Sequence, residues 1–364
     1  MISVILPTKN EEMAIGEIVE RCRKIGVGEI IVIDNSSDRT PEIAEDLGCR
    51  VIRGVEGYGN AYLEGLKHVR GEIVVMMDAD GSYDPMEIPK LIEPILKGEA
   101  EVVIGSRFKG KILPKAMRWH HKYIGNPLLT KLTNFLFKTN FSDVHCGFRA
   151  IKRDAITKLD LKCPGMEFAT EFVIKAVTSG LKISEKPITY HPRRGGSKLR
   201  SFRDGWRHLR LILATSPGYV FLAPSIALCF LGLSLILFVV LFEPIRTHTL
   251  ILGALLIQIG IQTFFFGISG MLYSKQIGFR KEDRLTSFFA SYSEIEKIMF
   301  FGFVVFLLGI LIGYKVVSEW LKVGFGSLSE LNGAVLSMLL IFAGIQLILS
   351  ALFLSIFLLN EKEK

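Results

Sequence analysis

Between Val102 and Ser142 the chain has no acidic residue, and four stretches, 211–242, 247–274, 298–314 and 331–360, carry no charge of either sign. The second absence excludes a purely soluble protein. About 20 apolar residues take a helix across a bilayer, and four such lengths in series are not the pattern of buried soluble helices. Membrane spans are expected near 217–241, 249–273, 298–317 and 333–359, with Lys315 reaching toward the interface from the third. Cysteine is also scarce: Cys22, Cys49, Cys146, Cys163 and Cys229 are odd in number and show no C-x-x-C spacing. Neither a disulfide framework nor a zinc site is indicated, and the five read as reduced thiols. The opening Met1-Ile2-Ser3-Val4-Ile5-Leu6-Pro7 lacks the basic start and long apolar run of a secretory signal. The N-terminal part is therefore expected in the cytoplasm.

The charges that are present sit in the first part. Residues 1–216 hold 34 of the 44 Lys and Arg and 27 of the 36 Asp and Glu. Among the loops between spans, 274–297 carries Lys275, Arg280, Lys281, Arg284 and Lys297, whereas 243–248 has Arg246 alone and 318–332 only Lys322. Basic loops stay on the cytoplasmic side. The N-terminal part and the tail 361–364 then share that side, as an even number of spans requires. A multi-pass protein of the cell membrane with a cytoplasmic N-terminal domain is expected.

The first 110 residues alternate apolar runs at 3–7, 29–34, 50–53, 72–78 and 101–106 with helical patterns at 12–24, 41–47, 60–69 and 85–96. That rhythm predicts an α/β fold with a parallel sheet. Ligands bind such sheets at the carboxyl ends of the strands. There stand Pro7, Thr8, Asn10 and Glu11 after the first strand and Asp34 with Asp38 after the second. All are candidates for holding a nucleoside, although Asp38 could equally cap the next helix. Gly59, opening a helix, could bring backbone N–H groups near a phosphate. The sharpest local signal is Asp78-Ala79-Asp80-Gly81 at the end of an apolar strand. Two carboxylates at i and i+2 suit a hard divalent cation, Mg²⁺ or Mn²⁺, shared with substrate phosphates.

Taken in order, Pro7-Thr8 with Asn10-Glu11, Asp34 with Asp38, Asp78-Ala79-Asp80, Gly105-Ser106-Arg107, Asp143 with Cys146-Gly147-Phe148, Glu171, and Arg194-Gly195-Gly196-Ser197-Lys198 form a recognisable set. The set resembles family 2 glycosyltransferases of the GT-A fold, specifically the polyprenyl-phosphate (dolichol-phosphate) hexose synthases. It covers about residues 1–210. The resemblance implies inverting transfer of one hexose, mannose or glucose, from a UDP- or GDP-sugar to a lipid phosphate, with Asp78 and Asp80 at the metal. Mannose-type members carry a glutamine two positions after the second Asp; here Ser82 stands there. On this reading the chain divides into a nucleotide-sugar part (1–110), an acceptor-side part with amphipathic interface helices (111–215) and a transmembrane part (216–364).

Charge points to the same kind of acceptor. The acid-free stretch holds Arg107, Lys109, Lys111, Lys115, Arg118, Lys122, Lys131 and Lys138, and a second cluster of Arg193, Arg194, Lys198, Arg200, Arg203, Arg207 and Arg210 faces only Asp204. Both are interleaved with apolar residues, and the second runs into the first span. Membrane lipid and lipid phosphate are favoured over nucleic acid. Met117, Trp119, Tyr123, Ile124, Leu128, Leu129, Leu132, Phe135 and Leu136 recur at helical spacing around Pro127. Helices lying in the headgroup plane show this pattern, as does an amphipathic helix packed on the sheet.

A phosphate monoester is largely dianionic at pH 7, so such an acceptor needs no general base. Arg107, Arg194, Ser197 and Lys198 are the candidates for holding it. Asp80, Arg107, Asp143 and Glu171 are the catalytic candidates, with Asp143 and Glu171 orienting sugar hydroxyls and Glu171 a base only for an alcohol acceptor. His120, His121 and His145 read as phosphate or headgroup donors. Two alternatives stay open: a polysaccharide or glycolipid synthase with a hydroxyl acceptor, which usually carries a Q-x-x-R-W string absent here, and a non-enzymatic flippase component for lipid-linked sugars. The sequence also leaves a homo-oligomer open.

Overall fold

The computed structural model describes residues 1–196, 201–242, 247–324 and 331–359. The chain divides into two compact units, Met1–Leu213 and Ala214–Lys364.

In the first unit, strands β1 (Ile2–Thr8), β2 (Glu29–Asp34), β3 (Arg50–Arg53), β4 (Ile73–Met76), β5 (Val102–Ile112), β6 (Arg149–Lys152) and β7 (Ile183–Tyr190) form one sheet of order β3-β2-β1-β4-β6-β5-β7. Helices α1 (Ile15–Lys24), α2 (Thr40–Asp46), α3 (Tyr58–His68) and α4 (Ile88–Leu96) connect the early strands, and α5 (Asn126–Phe137), α6 (Arg153–Ile156), α7 (Phe168–Thr178) and α8 (Ser201–Ala214) follow. Val4, Ile5, Leu6, Ile31, Val32, Val74 and Val75 are wholly buried, as expected for central strands covered on both faces. Helix α1 shows how a connecting helix joins the core: Ile15, Ile18, Val19 and Cys22 are its buried positions, one stripe at i, i+3, i+4 and i+7.

The sheet is mixed rather than all parallel. Strand β6 runs against both β4 and β5, while the other neighbouring pairs are parallel. Neither β6 nor β7 stands out in the sequence. Strand β6 has four residues, two of them charged, and β7 interrupts its apolar positions with Glu185, Lys186 and Pro187. The basic run after Ser106 begins as strand, ahead of the residues read as helical. Lys109 and Lys111 lie on an extension of β5, which pairs Lys111 with Thr189 and Ile112 with Tyr190 beyond an irregularity. From Trp119 the chain becomes helical, passing through one π-type turn (His121–Gly125) into α5, with Pro127 in its first turn. Trp119, Tyr123, Ile124, Leu128 and Phe135 are exposed.

The second unit consists of apolar helices α9 (Ala223–Leu241), α10 (Thr247–Gln276), α12 (Tyr292–Lys322) and α13 (Leu331–Leu358), with the short α11 (Arg284–Phe289) before α12. Four helical stretches, Gly218–Leu241, Thr247–Gln276, Tyr292–Lys322 and Leu331–Leu358, are long and apolar enough to cross a membrane. Helix α12 extends beyond its expected span at both ends, where its terminal charges pair at i, i+3, Lys297 with Glu294 at 2.6 Å and Lys322 with Glu319 at 2.7 Å. Glycines let neighbouring helices touch: a Cβ at Gly253 would lie 2.8 Å from the Gly232 carbonyl oxygen, and one at Gly344 2.7 Å from that of Gly302. Between α10 and α13 an apolar cluster of Phe265, Ile268, Leu272, Ala351, Leu354 and Leu358 is joined by polar contacts. Gln258 Nε2 donates to Gln346 Oε1, and Gln346 Nε2 to Gln262 Oε1 at 2.8 Å.

Candidate active site

Strand order reverses beside β1, whose neighbours β2 and β4 lead to opposite halves of the sheet. Such a switch point leaves a crevice at the carboxyl ends, and the first candidates meet there. Thr8, at the end of β1, donates from Oγ1 to Asp34 Oδ1 at 2.7 Å. Asp34 also accepts from Ser36 Oγ at 2.6 Å and Ser36 N at 3.0 Å. Asn10 has a left-handed backbone (φ 54°) and ties the two loops together, its N–H donating to Ser36 Oγ and its Oδ1 accepting from Ser37 N, both at 2.8 Å. Pro7 pairs in register with Ile33, and Glu11 donates its N–H to Thr40 Oγ1 at 2.8 Å.

Two further candidates have local structural partners. Asp38 accepts from Thr40 N at 3.0 Å, Thr40 Oγ1 at 2.5 Å and Glu12 N at 3.3 Å, so it holds the turn into α2, the capping alternative. Gly59 is packed under the 163–164 loop: a Cβ there would meet the Cys163 carbonyl oxygen at 2.0 Å. Its lack of a side chain serves that approach, and no phosphate-binding role is needed to explain it.

Past β4 the chain turns at Gly81 (φ 80°) and carries Asp78, Ala79 and Asp80 to the crevice. Asp78 Oδ1 accepts from the Tyr58 hydroxyl at 3.1 Å and the Tyr62 hydroxyl at 3.4 Å. Burial raises its pKa, and the charge of Asp80 adds to the effect, bringing it to about 6. Asp80 is 2% exposed. Its Oδ1 accepts from Ser82 N at 2.8 Å, and its Oδ2 is ion-paired with Arg193. The Ser82 hydroxyl is buried and has no hydrogen-bond partner among the described residues. Two mutually repelling carboxylates and an unpartnered hydroxyl beside them fit a divalent cation. No group of three or more His, Cys, Asp or Glu side chains that could hold a metal is found among the described residues. A cation here would need further oxygen ligands from a substrate.

The acceptor-side candidates do not converge in the expected way. Arg107 and Asp143 bind each other, Nε to Oδ2 at 2.6 Å and Nη2 to Oδ1 at 2.8 Å, with the guanidinium 5.3 Å from the Tyr190 ring centre. Glu171 is 1% exposed and faces the chain's own backbone. It accepts from Lys162 N at 3.0 Å and Cys163 N at 2.7 Å and pairs with Lys175 at 3.1 Å. Arg194 turns onto Glu17. Ser197 and Lys198 lie outside the described residues. Arg193, adjacent to the chosen Arg194, is the one that reaches the carboxylate pair; the sequence marks both equally.

The histidines divide as well. His120 Nε2 lies 3.4 Å from Ser201 Oγ. His145 is no headgroup donor: neither ring nitrogen has a hydrogen-bond partner among the described residues. Burial, then His208, Arg107 and Arg149, hold its pKa well below the ordinary value. It packs against His208 of α8 with ring centres 4.6 Å apart, and His208 Nδ1 is 2.7 Å from Thr170 Oγ1.

A mostly parallel sheet with an Asp-Ala-Asp turn at its switch point, followed by four apolar helices, is the architecture of a membrane-bound glycosyltransferase of the GT-A fold. The chain belongs to glycosyltransferase family 2: residues 3–160 match Glycosyl transferase family 2, and residues 268–358 match the Glycosyltransferase family 2 C-terminal transmembrane region. It is 39% identical to the low-salt glycan biosynthesis hexosyltransferase Agl6 of Haloferax volcanii, over 97% of this chain and 88% of that one. It is 34% identical to a dolichyl-phosphate hexose transferase of the same organism (56% of this chain, 89% of that one). To a dolichol-phosphate mannosyltransferase of Pyrococcus furiosus it is 35% identical (55% and 59%). Among solved structures, glucosyl-3-phosphoglycerate synthase from Mycobacterium tuberculosis, in complex with Mn²⁺, UDP and glucosyl-3-phosphoglycerate, is 24% identical with a TM-score of 0.48, over 59% of this chain and 79% of that one.

Proposed function

We propose that this enzyme transfers one hexose from a UDP- or GDP-hexose to a polyprenyl or dolichyl phosphate, with inversion, at the cytoplasmic face of the membrane. The observation that carries this reading is the engagement of the two acids, Asp143 and Glu171, that the sequence marks beside the sugar. Asp143 is bound to Arg107, and Glu171 to two backbone N–H groups and Lys175. A hydroxyl acceptor would need one of them free to take its proton. A phosphate monoester attacks as an anion and needs neither. The names of two relatives, a dolichyl-phosphate hexose transferase and a dolichol-phosphate mannosyltransferase, support the same acceptor class.

The residues then have distinct tasks. Thr8, Asn10, Glu11 and Asp34 line the nucleoside end of the crevice. Asp78 and Asp80 would hold Mg²⁺ or Mn²⁺, which supplies positive charge to the departing diphosphate. Tyr58 and Tyr62 orient Asp78 through its Oδ1. Arg107 and Asp143, locked together, fix the wall of the sugar site. The exposed Trp119, Tyr123, Leu128 and Phe135, beside Arg118, Lys122 and Lys131, suit a helix lying against lipid headgroups. The basic loop 274–297 sets the cytoplasmic orientation.

Purified full-length protein in detergent, given radiolabelled UDP- and GDP-hexoses and polyprenyl phosphate, should form an acid-labile glycolipid, and Asp80→Ala should abolish it. An oligosaccharide ladder, or transfer only to a lipid hydroxyl, would replace this reading with a hydroxyl-acceptor synthase.

A further inference from the structure

After β7 the chain runs extended along the Asp80–Ser82 turn. His191 N donates to Ser82 O at 2.9 Å and Arg194 N to Asp80 O at 2.8 Å. Neighbouring side chains on an extended segment point to opposite sides. Arg194 accordingly goes to Glu17, and Arg193 goes to Asp80. The two oxygens of Asp80 are thereby divided, Oδ1 to the Ser82 N–H and Oδ2 to the Arg193 guanidinium. The guanidinium on Oδ2 puts a positive charge beside the place a cation would occupy, so the two oppose each other there. The guanidinium cannot shed its charge, since arginine does not deprotonate in proteins.

We propose that Arg193 and the divalent cation are alternative partners of Asp80, and that a nucleotide arriving with the cation takes the displaced guanidinium on its diphosphate. This rests on the reading of Asp78 and Asp80 as the metal carboxylates. The exchange needs only side-chain torsions, because the backbone bonds at His191 and Arg194 hold the segment where it is. The diphosphate offers the bidentate anionic oxygens that a guanidinium prefers. The cation alone must displace Arg193 with no new partner for it. With nucleotide present the guanidinium gains one, so cation and nucleotide bind cooperatively.

The test is Mn²⁺ binding to the detergent-solubilised full chain, read from the electron paramagnetic resonance signal of free Mn²⁺, alone and with UDP or GDP. Wild-type protein should bind Mn²⁺ weakly alone and about tenfold or more tightly with one of the nucleotides. Arg193→Ala and Arg193→Gln should bind Mn²⁺ alone about tenfold more tightly than wild type and lose most of the nucleotide effect. The exchange is overturned if neither nucleotide strengthens Mn²⁺ binding to the wild type, if both variants bind Mn²⁺ alone no better than wild type, or if they keep the full nucleotide effect. Asp80→Asn separates the two levels. If it binds Mn²⁺ like wild type, the metal reading itself fails; if it loses Mn²⁺ while the Arg193 variants behave like wild type, only the exchange fails.

Discussion

Arg107 grips Asp143 through two parallel hydrogen bonds, at 2.6 and 2.8 Å, and the Arg107 backbone N–H adds a third to the same carboxylate at 3.2 Å. Asp143 is wholly buried and Arg107 7% exposed. A pair so enclosed is costly to break from one side, because the remaining charge stays desolvated. Asp143→Asn should lower the unfolding free energy by about 3–5 kcal/mol, while the double variant Arg107→Met with Asp143→Leu should lose less than the two single changes added together. Denaturant unfolding of the solubilised chain measures both. A stable Asp143→Asn protein with strengthened lipid-phosphate affinity would instead show that Arg107 can leave the pair to serve the acceptor.

Glu171 distinguishes a base from a brace. Its carboxylate holds the backbone of Lys162 and Cys163, and the next residues of that loop lie over Gly59 at the start of α3. Glu171→Gln removes the carboxylate charge that faces the buried Lys175 ammonium and should cost about 3–5 kcal/mol of stability, and should raise KM for the sugar nucleotide more than it lowers kcat. A loss of kcat of several orders of magnitude in a protein of unchanged stability would mark it as a base.

His208 predicts a stability that falls in acid. Burial and the Arg149 charge lower its pKa from 6.5 to about 4, and the facing groups are His145, which shifts the same way, and the Thr170 hydroxyl. The folded state therefore keeps His208 neutral where the unfolded chain would protonate it. Its contribution is intact above about pH 6.5 and is lost progressively as the pH falls toward 4, on the order of 3 kcal/mol from this residue. Melting temperature against pH should drop through that window, and His208→Gln should flatten the drop.

Gln346→Leu removes two of the three hydrogen bonds described between α13 and α10, leaving Gln276 Nε2 donating to the Phe357 carbonyl at 2.7 Å. Interhelical bonds of this kind contribute about 1 kcal/mol in membranes. The variant should unfold at lower denaturant in mixed micelles by about that amount, with the catalytic unit unaffected. A variant as stable as wild type would mean the glutamines lie together without joining the helices.

Periodicity made the early sheet legible. Apolar runs bounded by polar turns locate β1, β2 and β3 within a residue or two, and the stripe on α1 reads directly. It failed at β6, where Arg149 is buried over the Phe172 ring at 4.9 Å, a position that tertiary packing rather than pattern assigns. At 108–112, basic residues alternate with others as on an exposed strand end, and pairing with β7 sets it. In the site, Asp78, Asp80, Thr8 and Asp34 are strand-end residues and were readable as such. Arg193 against Arg194 was not: the choice between neighbours on an extended chain follows from which backbone bonds fix the segment. Asp143 and Glu171 were recognisable as important acids, but their partners come from distant residues and a loop backbone that no spacing rule supplies.

The glycine contacts in the second unit join helices that follow one another in the chain, α9 to α10 and α12 to α13. Contacts between consecutive elements close short loops and form early. The α9–α10 pair can therefore zip up as soon as α10 leaves the ribosome, well before α13 exists, whereas the α12–α13 pair waits for the C-terminal helix. Biogenesis then reduces to the insertion of two prefabricated hairpins, and the glutamines meet only in a final docking step that a truncated chain ending after α12 could never reach.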